Sequence, residues 1–598
     1  MAERNIFDAL TDENENFDFD DGQSDISVGD LDLDPDDTDY SVTVNDNSST
    51  EESSGEDETT ESRNNNPRSR PRSRADPSTS PGAGDAGNSG WSFDCSNAGS
   101  NVREFFEPTG PTFEIGLDPE PIEFFLQLIP DTFFETLCEQ TNIYAIQREK
   151  EKDPTWTEEK SKWKPTSVPE LKAYVAILMF MGVCELPNYR LYWSEDMCFN
   201  QQFVSQIMTR NRYEELSRYI HIADRTLNPP RNEDGHDVLH KVRPIINLVN
   251  KTWPKSMHLS KNIAIDEAMV KYKGRCHFLQ YLPAKPVKWG LKVWALCDSS
   301  NYYMASMNVY TGKRNDLEGV PLDITLTGLG EKVVCTLVKP YLQKFHVVYM
   351  DNYFTSLPLF EYLYSENTYA CGTIQSTRKG LPITLKNKKV VKKPGDIVKM
   401  IKDDTQVVAW FDKRKVMVAT TAHGSDDGTV LRRRSGAEYA RPIAIEQYSK
   451  YYSGVDKADQ LRSYYGISVK CVKWWKYLLF FCLDMSVVNA YILYLAYRSS
   501  VPGPHKKPMT HLEFNISVMK RLANNFSSRK RLGRPLKRQP IHQISKITTK
   551  RGQRDCAQCK RANRKTKTGK PIQTTQQCIS CNVGLCKGCF AAFHGQNQ

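Results

Sequence analysis

Between Asn262 and Met350 the periodicity of the sequence changes twice, and few folds accommodate the order of those changes. NIAIDEAMVKY, VKWGLKVWALCD and YYMASMNVYTG are β-rich runs separated by turn residues, and EKVVCTLVKPYLQKF carries apolar residues at helical spacing. HVVYMDNYFTSLPLF then opens as a buried strand and stops at an aspartate. Three strands, a helix and one further apolar strand predict a mixed α/β sheet, which the last strand joins in parallel through the helical crossover. Val347 to Met350 then deliver Asp351 to the carboxyl end of the sheet, the edge where open α/β sheets place ligands.

Helical periodicity lies on both sides of this region. PIEFFLQLIPDTFFETLCEQTNIYA, VPELKAYVAILMFMGV and NRYEELSRYIHIA predict a helical domain ending near Pro254, with Gly182 and Pro229-Pro230 as boundaries within it. Downstream, TQVVAWFDKRKVMVATTAH reads as a hairpin turning at Asp412 to Lys415, inside a small Lys-rich insertion. GVDKADQLRSYYG restores helical character. The run from Tyr477 to Tyr497 is long enough to span a bilayer, but Asp484 and Asn489 interrupt it at a cost, which predicts a buried helix and no membrane.

Charge divides the chain. Residues 1 to 62 hold 22 Asp and Glu against Arg4 alone, a charge of −21, which leaves +29 on the remainder of a chain whose formal charge is +8. Residues 1 to about 100 are also poor in apolar residues and cannot offset the entropy of ordering, so a disordered acidic tail is expected. Within it RSRPRSR, Arg68 to Arg74, reads as a nuclear import signal, a phosphate-binding arm or a solvated spacer. A surplus of +29 over folded segments fits a polyanion binder, nucleic acid above all, though a generally basic protein has the same composition. No apolar stretch follows the first Met, so no secretory signal is expected.

The C-terminal cysteines are spaced as metal ligands. Cys556-x2-Cys559, Cys578-x2-Cys581 and Cys586-x2-Cys589, with His594 behind them, suit tetrahedral Zn²⁺. Disulfides are the competing reading, disfavoured in the reducing compartment that the missing secretory signal implies. Two closed sites need eight ligands and seven are evident, so His542 is the candidate eighth and a single zinc the alternative.

Three aspartates stand out by context: Asp266 inside a strand, Asp351 at a strand end, and Asp456 at the start of a helix with Asp459 one turn later. Each has an ordinary reading: Asp456 favours a helix dipole, Asp351 begins a turn, and Asp266 faces solvent with Glu267 inside. Carboxylates gathered at one sheet edge repel one another unless cations compensate, and paired Mg²⁺ ions serve phosphoryl transfer in that way.

IAIDEAMVKYKGRCHFLQYLPAKPVKWGLKVWALCDS, VVYMDNYFTSLPLF, CGTIQSTRKGLP and YSGVDKADQ resemble the motifs of the piggyBac transposase family, in the same order and at similar separations. The C-terminal cysteine pattern is similar too, and the resemblance runs from about residue 115 to the end. It implies an RNase H-like α/β core with a DDD triad of Asp266, Asp351 and Asp456 holding two Mg²⁺, and Asp459 as a fourth acid. Trp474 falls where the family has a tryptophan after the third aspartate, and is a candidate DNA contact. Lys271, Arg275, Lys288, Arg314, Arg378 and Lys379 are candidate phosphate contacts that position DNA without reading it, and each is equally a solvated surface charge. GRP at Gly533 to Pro535 has the composition of a minor-groove hook.

The implied organisation has eight segments: a tail over 1–113, helical dimerisation and DNA-binding domain over 114–260, core over 261–377, β-rich insertion over 378–440, core again over 441–465, helices again over 466–530, basic linker over 531–555 and zinc domain over 556–598. The implied activity is cut-and-paste transposition by a nuclear homodimer on double-stranded DNA. Terminal repeats are nicked, released through hairpin ends and joined to a TTAA target. Two other readings are a domesticated descendant that binds DNA or chromatin without cutting it, and a RING-like ubiquitin ligase, which explains the zinc end alone.

Overall fold

The computed structural model describes residues 90–528 and 544–595, apart from gaps at 114–115, 117, 154, 232, 284, 313–327, 432–435, 437, 501–506, 549–551 and 580. Two compact units divide at residue 528. The acidic run 1–62, RSRPRSR, Arg314, the GRP stretch and His542 lie outside the described residues.

In the first unit the helices α1 (Pro121–Leu128), α2 (Asp131–Lys152), α3 (Val168–Val183) and α4 (Arg243–Ser256) precede the sheet. α3 ends one residue past Gly182, and close packing requires a glycine there, since a Cβ would collide with the backbone oxygens of Tyr465 and Gly466. The sheet then begins with β1 (Asn262–Lys271), β2 (Trp289–Asp298) and β3 (Met304–Val309), an antiparallel meander. α5 (Leu329–Val338) carries the chain across to β4 (Val347–Met350), which pairs in parallel with β1, as the periodicity predicts. α6 (Leu357–Ser365) leads to β5 (Tyr369–Thr373), parallel to β4.

The next three strands, β6 (Ile397–Lys402), β7 (Thr405–Phe411) and β8 (Lys415–Thr420), lie within the expected insertion. They turn at 412–414 as predicted, and β8 pairs antiparallel with β5, so these strands extend the same sheet, while Asp427–Leu431 and Glu438–Pro442 pair as a separate two-stranded sheet. With a two-residue strand at Gln280–Tyr281 beside β2, the sheet has nine strands, ordered β3–β2–β1–β4–β5–β8–β7–β6. Val407, Val408, Ala409, Val418 and Ala419 are fully buried, and that burial pulls the hairpin into the core.

The expected tail also needs its boundary moved. Residues 90–113 are packed: Ser92 bridges Ile401 on the outer strand β6, Cys95 and Ala98 are buried, and Phe105 and Phe106 meet His346 and Phe345 at tilted angles. The segment is too poor in apolar residues to make a core, but the outer strand β6 gives Cys95 and Ala98 a surface to bury against Ile401.

After the sheet come α7 (Gly454–Ser463), α8 (Trp474–Ser500) and α9 (His511–Ala523). α8 is the one helix among the described residues long and apolar enough to cross a membrane, and it is buried inside the unit. Its polar interruptions are both satisfied. Asn489 donates to Met304 O at 2.8 Å and accepts from Met304 N at 3.0 Å, clipping β3 to the helix, while Asp484 accepts from Ile467 N at 3.1 Å. α8 packs on α1 and α4, and α9 on α3, so the helices before and after the sheet form one layer.

Candidate functional site

Register brings the first two aspartates together. Ile265 on β1 pairs in parallel with Met350 on β4, so the next residues, Asp266 in the middle of β1 and Asp351 just past the carboxyl end of β4, stand beside each other. Val347 to Met350 are buried, which fixes the strand that carries Asp351. Beyond it the chain turns at once: Tyr353 N donates to Asp351 Oδ1 at 2.9 Å and Thr355 Oγ1 to Asp351 O at 2.8 Å. Asp351 therefore begins a turn and faces Asp266 as well, and the two readings of it are compatible.

Glu267 joins them. Single carboxylate oxygens of Asp266, Glu267 and Asp351 all lie within 4.8 Å of one another, and Glu267 Oε2 is buried with no hydrogen-bond partner among the described residues. Burial, with Glu267 next, holds the Asp266 and Asp351 carboxyls above the usual range, Asp266 well above it. A hard divalent cation suits such a set of oxygens and would relieve both effects.

Asp456 arrives from the other side of the sheet edge. It sits in the first turn of α7, whose N-terminus can approach β1 because residue 454 is glycine: a Cβ there would stand 3.1 Å from the Cβ of Ala264. Asp456 lies outside the 4.8 Å set and reaches it through Lys285, whose ammonium is 3.2 Å from Asp456 Oδ1 and 3.6 Å from Asp266 Oδ2. Burial works against the Lys285 charge, but Asp266, Glu267 and Asp456 outweigh it and raise its pKa. Four carboxyl groups gathered beside one ammonium repel one another when ionised, which places further positive charge at a premium.

Asp459 turns away from this cluster. Its carboxylate pairs with Arg462 one turn on, at 2.8 Å, and Arg462 also lies over the ring of Phe481 on α8. The pair lies within α7, and Arg462 is the member that reaches the helical layer. Arg378 likewise has a structural partner: its guanidinium donates to Asn352 O at 2.6 Å and Tyr353 O at 2.8 Å, bracing the turn that follows Asp351. Lys271, Arg275, Lys288 and Lys379 are solvent-exposed, as DNA contacts would be. Trp474 is half-buried and meets Phe278 edge-on at 5.1 Å.

Sequence reasoning missed Glu267 and Lys285 as members of the site, and an exposed ring pair, Tyr281 and Trp289, with centroids 4.7 Å apart. The acid adjacent to Asp266 and the PAKP turn were the available signals.

The second unit contains two sets of candidate metal ligands. The thiols of Cys556, Cys559, Cys586 and Cys589 lie within 4.8 Å of one another, and those of Cys578 and Cys581 with His594 form a three-membered set. The first and third CxxC pairs thus share one site, and the second pair takes the histidine. His594 Nδ1 donates to Phe590 O at 2.8 Å, which directs Nε2 toward Cys581, 3.5 Å away. Four thiols in closed array fit a tetrahedral soft or borderline cation.

Comparison with known proteins gives three findings. A family model described as Transposase IS4 matches residues 120–491, more than half of the chain. The human PiggyBac transposable element-derived protein 3 is 26% identical over 496 residues, 79% of this chain and 76% of that protein; the human element-derived protein 5 is 23% identical over 65% of this chain and 74% of its own length. A solved piggyBac transposase synaptic complex with hairpin DNA shares the fold, with a TM-score of 0.61 at 24% identity over 81% of this chain and 100% of that one.

Proposed function

The chain belongs to the piggyBac transposase family, and from that premise we propose that it is a cut-and-paste DNA transposase using metal-dependent phosphoryl transfer at the edge of its mixed sheet. The observation that carries this reading is the parallel register of Asp266 and Asp351, with Asp456 tied to the same edge through Lys285. The strand order β3–β2–β1–β4–β5, three antiparallel and two parallel, supports assigning an RNase H-like core.

In this reading Asp266, Asp351 and Asp456 hold two Mg²⁺ ions, with Glu267 beside them. The ions, when bound, supply Lewis-acid activation of the attacking oxygen and charge stabilisation of the leaving one. The protein's own part is positioning. The buried β4 strand and the Arg378 brace fix Asp351, Arg462 over Phe481 ties α7 to α8, and exposed Lys271, Arg275, Lys288 and Lys379 hold the phosphate backbone. The enzyme works in the nucleus as a homodimer on terminal repeats, through hairpin ends, and joins them to TTAA; Trp474 contacts DNA. Support for DNA and dimer comes from the related synaptic complex. Cys556, Cys559, Cys586 and Cys589 hold one Zn²⁺, and Cys578, Cys581 and His594 a second.

The test is excision of an element bearing its own terminal repeats from a donor plasmid, followed by sequencing of new insertion sites. Wild type is expected to excise and to insert at TTAA, and Asp351→Asn to lose at least about a hundredfold in excision. Unimpaired excision by Asp351→Asn would refute the acidic site. Specific binding of the repeats without cutting by wild type would favour a domesticated DNA-binding protein, the reading suggested by the human element-derived relatives.

A further inference from the structure

Lys285 is held where few lysines would be tolerated. It lies in the loop between the short strand Gln280–Tyr281 and β2, which is closed by Leu282 N donating to Lys288 O at 2.8 Å and Lys285 N to Leu282 O at 3.2 Å. Pro286 follows it and restricts its backbone to extended conformations, so the side chain leaves the turn in a limited set of directions. Its side chain is 22% exposed.

An ammonium has three protons to donate, and three oxygens stand around this one: Asp456 Oδ1 at 3.2 Å, Glu267 O at 3.2 Å and Asp266 Oδ2 at 3.6 Å. Two of these are carboxylate oxygens that a divalent cation at the site would need. The ammonium and the cation repel each other and seek the same atoms, so both cannot be held there at full strength.

We propose that Lys285 is a tethered counter-ion that competes with divalent metal for Asp266 and Asp456, and that metal loading frees its ammonium to meet a DNA phosphate. The inference rests on the metal-dependent reading above and adds to it a positioning residue with two alternate partners. Exchange is local, because Asp456 is half exposed and the lysine stem is flexible. Before loading, Lys285 bridges α7 to β1 and keeps the carboxylates gathered against their mutual repulsion. After loading, it adds a positive charge beside the scissile strand.

The experiment is titration of the full-length protein, zinc-loaded and free of DNA, with Mn²⁺ followed by calorimetry, comparing wild type, Lys285→Met, Lys285→Arg and Asp351→Asn. Lys285→Met is expected to bind Mn²⁺ about tenfold more tightly than wild type, Lys285→Arg about as wild type, and Asp351→Asn to lose the binding. A second measurement needs no variant: acetylation of Lys285 by an N-hydroxysuccinimide ester, read by mass spectrometry, should rise several-fold when Ca²⁺ is added. Binding lost in Asp351→Asn but unchanged or weakened in Lys285→Met overturns the inference alone, as does acetylation indifferent to Ca²⁺. One isotherm common to all four proteins overturns the inference together with the metal-dependent reading.

Discussion

At the residue scale, the acidic edge trades stability for chemistry. Asp266 and Asp351 bind protons more tightly in the folded protein than unfolded, through burial first and Glu267 next. Their contribution is therefore fully present below the ordinary Asp value and is lost as pH rises through the raised folded values. Without divalent cations, wild type should lose stability from about pH 4 upward. Asp351→Asn should flatten that slope and melt about 2 °C higher at pH 7, although it abolishes excision. Mg²⁺ should raise the melting temperature of wild type and leave Asp351→Asn unmoved; calorimetric scans across pH with and without the ion decide both points. The buried His346 has the opposite sign. Burial lowers its pKa to about 4 while its Nδ1 meets Ser260 O at 3.0 Å, so stability present above the ordinary histidine value is lost as pH falls toward 4. At most about 3 kcal/mol rides on that one ring, and His346→Asn should remove much of the acid-limb dependence in the same scans.

At the scale of elements, the site depends on how closely one helix approaches one strand. A Cβ on residue 454 already comes within 3.1 Å of Ala264, and the larger Gly454→Val side chain must push α7 away from β1, carrying Asp456 with it. The expected cost is about 1–3 kcal/mol of stability, with a loss of excision far larger than that cost accounts for, in a protein whose circular dichroism stays native. The elements around this contact were largely legible: β1, β2, β3, α5 and β4 follow from period changes, and parallel pairing of β1 with β4 follows from the crossover helix between them. That logic sufficed to set Asp351 beside Asp266. It could not reach Lys285, because a salt bridge to Asp456, 171 positions away, is fixed by a loop conformation and a helix docking that leave no periodic trace. It could not foresee the partners of Asp459 and Arg378 for a related reason: a charged side chain reads the same in sequence whether it meets a phosphate, a neighbour one turn away or a backbone carbonyl. The segment 90–113 was misplaced because its few apolar residues count only against a surface that others build, and the hairpin of β7 and β8 was legible while its partner strand β5 was not.

At the scale of the whole molecule, the chain joins a strongly acidic beginning to a basic remainder. The tail is expected to compete with DNA for the basic surface. Deleting residues 1–62 should tighten binding to random-sequence duplex at low salt, with the effect fading as salt screens it; equal affinity in a fluorescence anisotropy titration would end the idea. On the zinc reading, a zinc-selective chelator should act on one unit alone. Removing zinc should make residues 544–595 protease-sensitive while 90–528 resist as before, because each unit is compact on its own and only the second is built around thiols.

The interleaving of those thiols has a consequence for synthesis. Cys556 and Cys559 await Cys586 and Cys589, and Cys578 and Cys581 await His594, so a chain halted before residue 586 has only half of the first set and two members of the second. Neither set can close early around a cation, and a chain halted there carries open, chelatable thiols.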